Sequence, residues 1–383
     1  MKNKRGTVAS ALLAFALGAV RAGADTAPST WNLAEDPGLR ARWMLHTRVE
    51  RILDLPDIRS AAGDPSPERT AVQWLQEHWL EKARAMLEDA DAAHSADPRL
   101  VFDLGLVYER LATLGRRNDL HRKVVEVLQP ALDRFPDHPA SLPARSALVD
   151  SLAKLNRPRE ELAASQRYIP QLLDDRSRIV PLMNMGEAQM RLGLLDEALA
   201  TFREVLSLCE ALPNGSSVNG SSVNFSYALT LWDLAVALDR SADAAEALRA
   251  ATRARAWAWY EVAGARLGRA AVTVRVTGWD AIHDEETVFF VPDWEREWYF
   301  ALGESAAAIG ANDPRDESRF WAAAEHHWEV YLAHSVAAGA SDRWAPLARA
   351  RLGRARAARL DADKRAAKPR SHSRAAEGPW AEP

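Results

Sequence analysis

The segment PLMNMGEAQMRLGLLDEALATFREVLSL, beginning at Pro181, constrains the fold of this chain more than any other stretch. Leu182, Met185, Gly186 and Gln189 lie at helical spacing before Gly193, and Ala198 and Phe202 continue that spacing after it. The period predicts two amphipathic helices joined by a short turn. Gly186 and Ala198 stand where the two helices would cross, so the backbones can approach closely while the larger residues fill the space on either side. A hairpin of this kind leaves one apolar face uncovered and needs neighbouring hairpins to bury it, which predicts a stacked array.

The pattern recurs. Val101, Leu104, Gly105 and Tyr108 open one unit, with Val124, Leu128 and Ala131 on its second helix before Pro136. Residues 140–173 carry Leu148, Leu152 and Leu162; Ala228, Leu231 and Ala235 precede Ala244 and Leu248; Tyr299, Leu302, Gly303 and Gly310 precede Ala324 and Trp328. Residues 36–53 and 69–93 read as further helices, with Pro37 and Pro67 suited to first helical turns, and 344–360 reads as a closing helix. The spacing from Pro181 resembles the tetratricopeptide repeat (TPR), departing from it at Gln189, where a tyrosine is usual, and in its closing proline, displaced to Pro213. The resemblance covers most of 98–360 and implies an all-α, TPR-like α-solenoid that binds protein and performs no chemistry.

At its start the chain has the pattern of a cleavable secretory signal. Lys2, Lys4 and Arg5 precede an apolar run over 8–20, and Ala22-Gly23-Ala24 offers a cleavage site after Ala24. A periplasmic or secreted protein is expected, with no later stretch apolar enough to cross a membrane. The single cysteine, Cys209, rules out an intramolecular disulfide and leaves stability to the core. The expected organisation is a signal peptide at 1–24, N-terminal helices at 25–97, TPR-like repeats at 98–255, a helix and hairpin-like insertion at 256–294, a last repeat with its closing helix at 295–360, and a disordered basic tail at 361–383.

Three interruptions stand out. NGSSVNGSSVNFS at 214–226 duplicates five residues and lacks a hydrophobic period, so a flexible loop is expected; its Asn214, Asn219 and Asn224 begin Asn-x-Ser triplets. A longer turn is expected around 116–120. In the third, Val272, Val274 and Val276 alternate with polar residues and TVFFV follows at 287–291, predicting a β-hairpin-like insertion near 271–291 with an acidic tip. That tip carries Trp279, Asp280, His283, Asp284, Glu285 and Glu286. Their order matches neither a calcium loop nor a zinc pair, so no metal, cofactor or catalytic group is assigned; an ion-dependent or enzymatic module at 279–286 is the alternative function. His327 and His334 lie two turns apart and do not form the zinc-protease order. Trp279 is a candidate partner contact.

In the TPR family the first helix of each repeat lines the concave groove. The resemblance therefore implies a row formed by Leu106, Asp150, Glu187, Asp233 and Glu304, with Phe102, Met183, Leu229 and Phe300 one turn earlier as apolar contacts. Four carboxylates in such a row would favour a basic partner segment. Charge is also divided along the chain: residues 349–374 hold ten Lys/Arg against two Asp, whereas 25–348 is acidic. The basic arm is expected to be a solvated helix and tail, with contact to an anionic envelope surface or to the chain's own groove as alternatives. It lacks the aromatic and groove-reading features of nucleic-acid binding. The functional expectation is a cell-envelope interaction scaffold that docks a basic protein or peptide segment.

Overall fold

The computed structural model describes residues 37–53, 67–115, 117–213, 216–218, 221–263, 272–283, 293–337 and 342–367. The signal-like segment, Asn214, Asn219, residues 284–291 and the tail from 368 lie outside the described residues. Two compact units meet in sequence between Ser151 and Leu152.

The first unit contains α1 (Pro37–Leu53), α2 (Pro67–Asp89), α3 (Pro98–Gly115), α4 (Asn118–Arg134) and most of α5 (Ser141–Lys154). Helix α1 packs on α2 and α3, and α3 forms a hairpin with α4. A Cβ added at Gly105 would overlap the Leu128 side chain, so the glycine is what lets the two helices close. The lengthened turn expected at 116–120 is corrected. Helix α4 begins at Asn118, with Arg117 carrying the extended backbone of an N-terminal cap position. Its start is held by Leu120 N–H donating to Arg117 C=O at 3.0 Å.

The second unit is a run of successive hairpins. Helices α6 (Pro158–Tyr168), α7 (Asp175–Leu192), α8 (Leu195–Ala211), α9 (Val223–Arg240) and α10 (Ala244–Ala256) each pack on the next. Beyond an insertion come α12 (Arg296–Ile309), α13 (Pro314–Ala337) and α14 (Ala345–Ala366), packed likewise. The first helices α7, α9 and α12 also touch across hairpins, giving one continuous core. This is a TPR-like all-α solenoid carrying a β-hairpin insertion. Helix α7 starts six residues before Pro181: Asp174 caps it by accepting from Ser177 N–H at 2.9 Å. It ends at Gly193, whose φ of +77° closes the turn into α8. The Gly186 Cα lies against the buried Phe202 ring, where a Cβ would clash.

Two expectations about the loops need revision. Of the duplicated segment, 217–218 (β1) and 221–222 (β2) pair as a short antiparallel turn, and Val223 already begins α9. The closing helix runs to Ala366 rather than 360. Ala, Arg and Lys favour helix, Ala362 is buried, and Arg365 reaches Glu317 on α13 at 2.7 Å.

The insertion does contain the alternating strand, β4 (Val272–Thr277), but its partner is β3 (Ala258–Ala263), upstream of it. The register pairs Ala258 with Thr277 and Ala263 with Val272. Residues 258–263, AWYEVA, are themselves rich in β-formers; the expected second run, 287–291, lies outside the described residues. The expected acidic tip is replaced at its start by a short helix, α11 (Gly278–His283). Thr277 caps that helix, its hydroxyl accepting from the Asp280 N–H at 3.2 Å, and the Asp280 carboxylate reaches back to accept from the Thr277 N–H at 2.7 Å. No described helix is long and apolar enough to span a membrane.

Candidate functional site

The expected groove residues separate into three environments. In the first unit Phe102 is fully buried, stacked on His138 at 5.3 Å and edge-on to Phe135 at 6.5 Å, while Leu106 and Asp150 are half-buried. In the second unit Met183, Glu187, Leu229 and Asp233 are all buried. Phe300 and Glu304 are half-buried on α12. The picture of four carboxylates along an open groove is thus corrected for Glu187 and Asp233, which are enclosed where the first helices pack.

Glu187 and Asp233 are brought together inside α7, α9 and α12. Tyr299 donates its hydroxyl to Asp233 Oδ1 at 2.8 Å, and neither Glu187 oxygen nor Asp233 Oδ2 has a hydrogen-bond partner. Burial raises both carboxyls far above the ordinary range, and for Glu187 the nearby Asp233 charge adds to this. Buried ion pairs surround them. Arg191 pairs with Glu161, Arg240 with Glu295 at 3.1 Å, and Arg351 with Asp239, which also accepts from Trp298 Nε1 at 3.1 Å. Arg240 lies over the Trp298 ring at 4.7 Å.

Phe300 and Glu304 belong to a different assembly, drawn from four helices. The Phe300 ring lies 4.7 Å from His283 of α11 and 5.2 Å from His327 of α13, with Trp279 at 6.3 Å. Trp279 is seated over Gly303, where a Cβ would overlap its ring, and Trp232 Nε1 fixes the insertion by donating to Gly278 C=O at 2.9 Å. Trp279 is therefore an anchor of the insertion, not a free tip. Arg255 of α10 stacks on Trp279 at 3.6 Å and approaches Glu304 Oε1 at 3.9 Å. Glu304 Oε2 has no hydrogen-bond partner, and burial raises the Glu304 carboxyl. On the outer edge His327 pairs with Glu297 at 2.7 Å, and His283 is exposed, with burial of its inner edge and the His327 charge lowering its pKa.

Sequence reasoning expected Phe300 and Glu304 in a groove row and did not point to Arg255 and His327 beside them or to Tyr299 beside Asp233. The crowding of Trp257, Trp259, Trp279 and Trp298 in the last third was the available signal. Among the described residues no group of three or more His, Cys, Asp or Glu is placed to hold a metal ion. Cys209 is buried and its thiol pushed up to about 12 by burial. The basic closing helix finds acids on α13: Arg356 pairs with Glu325 and Glu329, Arg359 with Glu325, and Arg365 with Glu317.

Neither a family model nor a curated protein matches the sequence. Solved structures do match. MamA of AMB-1 is 18% identical over 46% of this chain and 87% of that one, with a TM-score of 0.36. A signal-transduction ATPase with a tetratricopeptide repeat sensor from Pyrococcus horikoshii is 14% identical over 75% of this chain and 40% of that one, with a TM-score of 0.42. A kinesin light chain with TPR-like repeats from Podospora anserina is 16% identical over 56% and 93%, with a TM-score of 0.38. Two of these three carry TPR-type repeats by name.

Proposed function

We propose, for a chain built of TPR-like hairpins, a non-enzymatic interaction scaffold of the cell envelope that docks an extended basic segment of a protein partner. The observation that carries this reading is the half-exposed cluster of Phe300, His283 and His327 beside Glu297 and Glu304. Rings backed by a rigid helical frame give apolar contact at low ordering cost. Glu297 and Glu304 lie beside them, facing His327 and Arg255, so a Lys or Arg of the partner would compete with these groups for the carboxylates, and Arg255 on Trp279 illustrates the geometry a cation takes there. The envelope location rests on the signal-like pattern of Lys2, Lys4, Arg5 and the apolar run that follows. Contact with an anionic surface through the basic arm is less favoured, because the cations of α14 named above are already matched by α13 acids.

The test is binding of fluorescent peptides that alternate apolar residues with Lys/Arg, beside acidic versions of the same peptides, to residues 25–383. Basic peptides are expected to bind, with affinity reduced at least tenfold by Phe300→Ala or Glu304→Lys. Equal binding of acidic and basic peptides, or no loss in either variant, would place recognition elsewhere.

A further inference from the structure

The interior of the second unit holds more carboxylates than cations. Glu161, Glu187 and Asp233 are each at most 1% exposed, and the Arg191 guanidinium acts on Glu161 and Glu187. Its Nη2 is committed to Glu161 and its Nη1 donates to Asn156 at 3.3 Å. The other buried arginines nearby are already matched, Arg240 by Glu295 and Arg351 by Asp239. Lys154, on α5, acts on Glu187 from a half-buried position as a weaker influence. Tyr299 of α12 faces the pair from the remaining side and offers a single proton, given to Asp233 Oδ1. Three buried oxygens, both of Glu187 and Oδ2 of Asp233, remain without donors.

Two ionised carboxylates are strongly disfavoured in such a place, because burial strips their hydration and neither Arg191 nor Lys154, which act on Glu187, hydrogen-bonds to it. We infer that Glu187 and Asp233 are a proton-holding carboxyl pair, and that this pair makes the packing of α7, α9 and α12 a brace that tightens in acid and loosens as pH rises. A proton on either carboxyl removes the repulsion between the two and the cost of burying a second charge.

The direction follows from linkage. Both groups hold protons in the fold that the unfolded chain releases in the ordinary carboxylate range. Stability is therefore full below that range and falls as pH rises toward the elevated folded values. Each proton so held changes the folding constant by up to about tenfold per pH unit within that window. This device is independent of the partner-docking reading, since neither residue belongs to the half-exposed cluster.

Urea denaturation of the full chain between pH 5 and 9 tests it, comparing wild type with Asp233→Asn, which can still accept from Tyr299, and Glu187→Gln. The wild-type midpoint is expected to fall with pH, and each variant to flatten that fall and to be the more stable protein at pH 9. An unchanged slope, or variants weaker than wild type at pH 9, would overturn the inference. Difference infrared spectroscopy supplies a second readout should a variant fold poorly. A protonated-carboxyl carbonyl band is expected in the wild type at pH 7 and should be lost on raising pH. Its absence at pH 7 would also overturn the inference.

Discussion

Hairpins α7–α8 and α12–α13 carry a glycine at the same place in the repeat and use it differently. At Gly186 the space is taken by Phe202, from the second helix of the same hairpin. At Gly303 it is taken by Trp279, which arrives on α11 from outside the hairpin, with Trp232 of α9 next to it. A small residue at a helix crossing specifies close approach, but it does not specify by what. In the first hairpin the repeat closes on itself. In the second, the insertion has claimed the position, and with Phe300 and Glu304 on the same helix it becomes part of the half-exposed cluster.

The largest effect that would break this comparison is expected at the ring itself. Phe202→Ala removes a fully buried aromatic and should cost about 3–5 kcal/mol in urea denaturation. Trp279 is half-buried, so Trp279→Ala should cost less and should release β3–β4 and α11, read as new proteolytic cleavage within 257–283. A loss as large as that of Phe202→Ala, without new cleavage, would mean that the insertion is as deeply integrated as the repeat.

An intermediate effect sharpens the comparison. Gly186→Ala and Gly303→Ala should each cost about 1–3 kcal/mol through overpacking. Their couplings should differ: Gly186→Ala with Phe202→Ala, and Gly303→Ala with Trp279→Ala, should each cost less than the sum of the single changes. Full additivity in the second pair would remove Trp279 from its place over Gly303. The smallest effect lies outside both hairpins, at Arg356, an exposed cation paired with Glu325 and Glu329. Arg356→Ala should leave the unfolding midpoint unchanged within error at physiological salt, as expected for solvated ion pairs.

The repeat grammar was legible because it is a local signal. Gly105 against Leu128 and Gly186 against Phe202 sit in contiguous sequence whose period is that of the helix they form. The strand at 272–277 was legible for the same reason. Its partner was not, because alternation states that a strand exists and is silent about which neighbour pairs with it; 258–263 and 287–291 both offer β-prone residues. Of the groove residues, the pattern located Glu187, Asp233 and Glu304 at one repeat position without revealing that two are enclosed and one is half-exposed. Only the packing of α7, α9 and α12 sets that difference, since the same outward-facing helix position is covered where a neighbour lies close and open where it does not.

What the sequence by itself determined is therefore the set of hairpins, the small residues at their crossings, and the lack of disulfide support. These depend on residues within about one repeat of each other. Tertiary structure alone decided that Trp279 fills the space over Gly303, that Tyr299 reaches Asp233 across 66 positions, and that Glu187 and Asp233 are both enclosed with oxygens left without hydrogen-bond donors. Contacts of that range are chosen by which surfaces the stacked helices leave against one another. That choice is made by the summed burial of the whole unit, and no short stretch of the chain encodes it.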